Sequence, residues 1–282
     1  MPRRHPDWIK VKSPGSPNYI RLKHILKEKK LHTVCEEARC PNIGECWSHK
    51  TATFLILGDT CTRGCRFCAI DKGKPLALDP EEPRNVALVV KDLGLNHIVV
   101  TSVNRDDLPD GGSVHFAQTV FWIRQLNPAT RVEVLIPDFQ GNMKALDTVV
   151  QSGIDILNHN IETVPRLYGK VRPGHTYECS LNILKTAKQL RGDILTKTGL
   201  MLGVGETREE VLETLCDLRA NDVDIVTLGQ YLQPSLRQLK VERYLTPEEF
   251  QEFQAEGEKL GFRHVESGPL VRSSYHAWSH VT

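Results

Sequence analysis

Hydrophobic positions beyond residue 53 fall in short continuous runs, over 54–57, 97–101, 132–136, 154–158, 195–202 and 223–227. Runs of this length without polar alternation fit strands buried on both faces. Between them lie segments with helical spacing, over 81–94, 113–126, 142–152, 177–190, 207–219 and 247–259. Strand then helix, repeated at about thirty-residue spacing, predicts βαβ units and a parallel sheet. Six such units, plus a short strand expected near 262–265, are too few for a full eight-stranded barrel. The expectation is an α/β fold, an open, partial parallel βα barrel of about six strands. A Rossmann-type sheet is the alternative, weakened because no glycine-rich fingerprint follows the first strand. Upstream, Ser13-Pro14-Gly15-Ser16-Pro17 marks a turn and 19–30 predicts one short amphipathic helix in a segment, 1–50, that otherwise reads as irregular with short helical pieces. That segment and the tail after Gly268 are expected to cover the ends of the core.

Polar residues cluster where such folds keep their chemistry, at the carboxyl ends of the strands. Cys61, Cys65 and Cys68 follow the first strand, and Asn104, Arg105, Asp106 and Asp107 the second. His159, Asn160 and Glu162 follow the fourth; Gly203, Gly205 and Glu206 follow the fifth. The rest of the composition mainly excludes. With 282 residues, 40% of them hydrophobic and 25% charged, the chain has an ordinary globular make-up. A formal charge of +1 provides no field for nucleic acid or an anionic membrane. No apolar run approaches the ~20 residues of a bilayer span, and Met1-Pro2-Arg3-Arg4-His5 lacks the apolar stretch of a secretory signal. The expectation is a soluble monomer with no nucleic-acid or membrane partner. It would be cytoplasmic, or in an organelle matrix if eukaryotic, though no transit segment is evident.

Cysteine changes the picture. Of eight, six lie between Cys35 and Cys68. The loop Cys61-Thr-Arg-Gly-Cys65-Arg-Phe-Cys68 is a C-x3-C-x2-C. Soft thiolates select iron–sulfur or zinc, and a structural zinc site wants four ligands, commonly as paired C-x2-C hooks. Three thiolates around a four-iron cluster leave one iron open to a small molecule; Gly64 lets the loop turn tightly and Phe67 can shield it. Upstream, Cys35-Glu-Glu-Ala-Arg-Cys40-Pro-Asn-Ile-Gly-Glu-Cys46 is a second trio, C-x4-C-x5-C. A zinc-stabilised or redox-sensitive lobe is the alternative there. Cys179 and Cys216, single positions on predicted helices, read as small buried groups.

A C-x3-C-x2-C after the first strand of a partial βα barrel resembles the radical S-adenosylmethionine superfamily. Two further stretches resemble its cofactor-holding elements: Asp110-Gly111-Gly112, and Gly199-Leu-Met-Leu-Gly203-Val-Gly-Glu206. The second trio, with Pro6-Asp7-Trp8, Asn158-His-Asn160-Ile-Glu162, Val171-Arg172-Pro-Gly174, Thr227-Leu-Gly-Gln230 and Arg272-Ser273-Ser274-Tyr275, resembles the lipoyl synthase family over nearly the whole chain. The ending Trp278-Ser-His-Val-Thr departs from the glycine common there.

The resemblance implies two four-iron four-sulfur clusters and S-adenosylmethionine. Cys61, Cys65 and Cys68 would hold the radical-generating cluster; Cys35, Cys40, Cys46 and Ser274 (Ser273 second) would hold an auxiliary one. Asp110, Gly111, Gly112, Asn158, Arg172, Gly203 and Glu206 would contact the cofactor. The activity implied is insertion of two sulfur atoms at C6 and C8 of a protein-bound octanoyl-lysine. The partners implied are an octanoylated lipoyl-carrier domain or glycine-cleavage carrier protein, a low-potential donor such as ferredoxin or flavodoxin, and an iron–sulfur carrier that rebuilds the auxiliary cluster. The implied organisation is an N-terminal extension over 1–50, a barrel core over 51–267, and a tail over 268–282 carrying the serine. Three readings of the residues stay open. Arg105, Asp106 and Asp107 form either a closing rim or a solvated turn; His159 is a structural histidine or a functional one; and the basic stretch 21–30 is a solvated helix face or a landing surface for an acidic carrier domain.

Overall fold

The computed structural model describes residues 5–277 except Lys12, Lys30, His49 and Lys50. The sequence readings on residues 1–4, on Lys30 and on 278–282 lie outside the described residues. An N-terminal lobe comprises α1 (Pro17–Glu28), β1 (His32–Thr33), α2 (Val34–Glu37) and α3 (Ile43–Ser48). The core follows as β2 (Thr53–Ile56), the short ribbon β3 (Thr60–Cys61) and β4 (Asp71–Lys72), α4 (Glu82–Leu93), β5 (His97–Ser102), α5 (Ser113–Leu126), β6 (Arg131–Leu135), α6 (Met143–Val150) and β7 (Ile156–Asn158). It continues with α7 (Tyr168–Val171), α8 (Tyr177–Leu190), β8 (Leu195–Leu202), α9 (Arg208–Ala220), β9 (Ile225–Gln230), α10 (Pro247–Lys259) and β10 (His264–Gly268).

The main sheet has eight strands in the order β1-β2-β5-β6-β7-β8-β9-β10. From β2 to β10 every pairing is parallel. The six expected strands are present, and the seventh, β10, lies two residues beyond its expected start. Because β10 pairs with β9 and the opposite edge is β1, the barrel stays open. Strand β1, antiparallel to β2, is an addition that the pattern does not predict.

One face of the strands packs on helices. Ile98, Val100, Val132, Val134 and Leu157 join α4–α6 in one apolar cluster; Leu200, Leu202, Val226 and Leu228 join α8–α10 in another. By the two-residue period, the alternate positions turn inward. They include Glu133, Asn158 and Lys197, all fully buried. Lys197 Nζ lies 3.0 Å from both Glu133 oxygens, and Asn158 Nδ2 donates to Glu133 at 2.8 Å. Burial opposes both charges and pulls the Lys197 ammonium down. Against that same burial, Lys197, His97 and Asn158 hold the Glu133 carboxyl down at about 2. Of these opposed tendencies the ion pair prevails, because two further groups, Asn158 Nδ2 at 2.8 Å and His97 Nε2 at 3.5 Å, also face the carboxylate.

Local signals set the helix ends. Thr207 with Glu210, and Thr246 with Glu249, form capping boxes at α9 and α10. The segments leading off the two edge strands meet each other: Asn42 Nδ2 donates to the Leu270 carbonyl at 2.6 Å, and Tyr275 Oη to Glu45 at 3.2 Å. The tail thus packs on the N-terminal lobe. Among the described residues no helix is long and apolar enough to cross a membrane.

Candidate functional site: two thiol nests joined by the tail

The loop 61–68 is clamped from several sides. Thr62 N donates to Asn104 O at 3.1 Å, Arg66 N to Val171 O at 3.0 Å, and Gln238 Nε2 to Cys68 O at 3.1 Å. Arg63 bonds Asp106 at 2.7 Å and Asp138 at 2.8 Å, while Asp138 also meets His175 at 2.6 Å. Arg105 is buried, pairs with Asp107 at 2.8 Å and donates to Leu57 O at 3.0 Å. The Arg105–Asp107 stretch is therefore a brace for the cysteine loop, with Asp106 gripping Arg63. A cavity of about 660 Å³ opens on the outer side of the loop, lined by Arg63, Lys72, Asp138, His175 and Cys179 among others. None of the three thiols lines it.

Within the loop, the backbone N–H groups of Arg63 and Asn104 each approach Cys61 Sγ at 3.4 Å. Donors aimed at sulfur suit a thiolate. Burial pushes the Cys68 thiol up to about 12 and raises that of Cys65, where Arg172 pulls back. The like charges of neighbouring cysteines add to both shifts, which places the three thiols within electrostatic reach of one another. The upstream trio converges in the same way. Burial pushes Cys35 up to about 12, with Cys40 adding to it, and raises Cys46, with Cys35 and Cys40 adding. Among the described residues no three His, Cys, Asp or Glu side chains could hold a single metal ion. Three mutually interacting soft thiols in each set suit an iron–sulfur centre.

Among the described residues, several buried polar atoms have no hydrogen-bond partner. They include Ser102 Oγ, Asn158 Oδ1, Asn160 Oδ1 and Arg172 Nε. Buried atoms of this kind are costly unless a ligand satisfies them. Asn160 Nδ2 donates to Glu162 at 3.1 Å and to Ser273 Oγ at 3.4 Å, so its free oxygen is the one left for a guest. Glu162 has φ 67°, an uncommon left-handed value that a parallel bridge to Leu200 enforces. This orphan set fits a polar cofactor beside the loop. Arg172 is held by Tyr168 Oη at 2.8 Å and Asn160 O at 2.9 Å.

The other expected contacts act through backbone. Asp110 caps α5, accepting from Gly112 N at 3.1 Å and Val114 N at 2.9 Å. Gly112 has φ 89°, and a Cβ there would meet Leu57 Cδ1 at 2.4 Å, so only glycine lets this turn lie against β2. Glu206 accepts from Gly203 N and Val204 N, which commits both its oxygens to shaping the turn after β8. Asn158 lies deeper, inside the barrel on Glu133. Ser273 touches Asn160, and Ser274 has no hydrogen bond among the described residues.

Two readings are corrected. Cys216 is exposed, not buried, and Cys179 is half-buried. His159 belongs to the scaffold: Nδ1–H donates to Ile136 O at 2.9 Å, which leaves Nε2 to accept from Ser180 at 2.9 Å. Burial, with Arg172 nearby, depresses it to about 4. The unfolded chain binds a proton near pH 6.5 that the folded chain refuses until about pH 4, so this contribution is full above 6.5 and lost on acidification. The loss should total about 3 kcal/mol across that window. Urea titrations from pH 7 to 4 should show a shallower slope for His159→Gln, and an unchanged slope would refute the assignment. The Arg63–Asp138–His175 network is absent from the sequence expectations, since its members come from three loops and no local motif links them.

The chain matches the radical SAM superfamily model over residues 55–218, and the model for the N-terminal domain of lipoyl synthase over residues 2–40. A lipoyl synthase from Roseiflexus sp. (strain RS-1) is 56% identical over 99% of this chain and 92% of its own. One from Caldanaerobacter subterraneus subsp. tengcongensis is 56% identical over 98% and 97%. Among solved structures, methylornithine synthase aligns with TM-score 0.55 at 15% identity over 89% of this chain and 78% of its own, a likeness of fold alone. The matched core carries the thiol loop and the matched N-terminal domain two of the upstream cysteines, and the likeness to named relatives runs the length of the chain: it belongs to the lipoyl synthase family of radical S-adenosylmethionine enzymes.

Proposed function

We propose that the chain inserts two sulfur atoms at C6 and C8 of an octanoyl group amide-linked to a lysine of a carrier protein. The observation that carries the reading is the tail, which reaches the Cys35–Cys40–Cys46 nest through Tyr275 and Glu45 and the orphaned polar site through Ser273. These carbons are unactivated, so neither a base nor a nucleophile suffices. S-adenosylmethionine supplies a 5′-deoxyadenosyl radical at the first cluster, and an auxiliary cluster supplies sulfide. Cys61, Cys65 and Cys68 hold the first; Cys35, Cys40, Cys46 and Ser274 hold the second. Ser274 suits this role because Ser273 is already turned to Asn160. Asn160, Glu162 and Arg172 orient the cofactor directly, while Asp110, Gly111, Gly112, Gly203 and Glu206 shape the backbone around it and Asn158 supports it from below. Residues 1–50, 51–267 and 268–282 then act as auxiliary-cluster lobe, barrel and closing tail. The setting is cytoplasmic, with a low-potential ferredoxin or flavodoxin as donor, an iron–sulfur carrier for rebuilding, and a monomeric enzyme.

The test is mass analysis of an octanoyl-lysine peptide after anaerobic incubation with reconstituted protein, S-adenosylmethionine and a strong reductant. Two added sulfur atoms are expected. Cleavage of S-adenosylmethionine with an unchanged peptide would reject the substrate.

A further inference from the structure

The chain leaves β2 through two left-handed residues, Leu57 at φ 70° and Gly58 at φ 94°. Glycine takes such values freely, whereas leucine keeps one only where its surroundings over-determine it. Leu57 is fixed in three ways. Its N–H, beyond the last ladder pair of β2, donates to Glu82 Oε2 at 2.9 Å. Its carbonyl accepts from Arg105 Nη1 at 3.0 Å. Its Cδ1 stands 2.4 Å from where a Cβ on Gly112 would be. The same Glu82 oxygen also accepts from His115 Nε2–H, at 2.7 Å. Leu57, Glu82 and His115 are all buried. A glutamate opening a helix usually serves the helix dipole from the surface. This one, at the start of α4, turns inward to donors at the end of β2 and on α5. His115 lies three residues after Gly112, and Cys61 four after Leu57. The Glu82–His115 pair therefore joins the root of the cysteine loop to the Asp110–Gly111–Gly112 turn.

We propose that Glu82, oriented by His115, is a positioning residue of the radical-generating centre: it holds Leu57 left-handed and so sets the Cys61–Cys65–Cys68 loop against the glycine turn. This rests on the reading that those three cysteines hold a cluster with one iron open to S-adenosylmethionine. The effect runs through the backbone of Leu57, not through contact with the cluster. It needs reach, because one oxygen must meet two donors at once, and it does not need negative charge.

The experiment compares the reconstituted full chain with Glu82→Gln, Glu82→Asp and Glu82→Leu at equal iron content. Each reduced protein is titrated with S-adenosylmethionine, and the change in its electron paramagnetic resonance signal gives the half-saturating concentration. Glutamine keeps the length and an acceptor oxygen, so Glu82→Gln should titrate as the parent does. Aspartate keeps the charge but is one methylene short, so Glu82→Asp should need at least about tenfold more cofactor, the order of loss when a ligand's outer support is removed. Glu82→Leu should need as much or more. If the leucine variant does not fold, the glutamine and aspartate variants decide between reach and charge. A role in stability alone would lower the melting temperature and leave the titration of the folded, loaded protein where it is. An aspartate variant that titrates as the parent does, or a glutamine variant that loses as much as the aspartate one, overturns the inference. A loaded parent whose signal does not respond to S-adenosylmethionine overturns the reading of the loop as well.

Discussion

Adding one methyl group at Gly229 is expected to cut sulfur insertion about 100-fold, because a displacement near 1 Å suffices for that loss. A Cβ at this position would stand 2.0 Å from the Val271 carbonyl oxygen. The obstacle is backbone, so no side chain can swing aside. Two neighbours oppose a small adjustment. Asn42 holds Leu270 from the lobe, and Gly229 is itself in register with Gly268 of β10. The tail therefore lifts, and Ser274 leaves the nest it is proposed to complete. The Cys61–Cys65–Cys68 loop is held by other elements, so cleavage of S-adenosylmethionine should fall far less than lipoyl formation. Measuring 5′-deoxyadenosine and sulfur-inserted peptide in the same reaction separates the two. Parallel losses, or none, would reject the view that the tail serves the auxiliary nest.

The second large effect is on stability. Glu133→Leu should destabilise the protein by about 3–5 kcal/mol, since it strands the Lys197 ammonium inside the barrel. Replacing both partners, as Glu133→Leu with Lys197→Met, removes the stranded charge and should recover most of that loss. Asn158 loses its acceptor in both proteins, so recovery stays incomplete. Urea midpoints at constant slope provide the comparison. A double variant no more stable than the single one would mean the pair is not coupled. Glu133 also contributes acid sensitivity: its stabilisation is present above its ordinary value of 4.5 and lost as the pH falls through about 2.

The barrel was legible because its strands are buried on both faces and its helices follow a regular period, features that short windows of sequence carry. Strand β8 lies over 195–202, as its apolar run predicts, even though Lys197 interrupts it. Strand β1 has only two residues, and α2 and α3 have four and six, too short for any period to register. The exposure of Cys216 was readable in principle: Val211, Leu215 and Leu218 form the buried stripe of α9, and Cys216 falls beside it. The thiol trios announced themselves by spacing. Their company did not. Tyr275 has its partner in Glu45, 230 residues away. No local pattern encodes such a partner.

The contact between lobe and tail also sets a clock. Asn42 meets its partner 228 residues later, and Glu45 waits 230. At about 5–20 residues per second, a ribosome needs roughly 10–50 s between making the two sides. Throughout that interval Cys35, Cys40 and Cys46 exist as an open trio, exposed to oxidants and stray metals. The upstream thiols are made well before the side that closes over them. Closure of the proposed auxiliary centre therefore waits on synthesis of the tail.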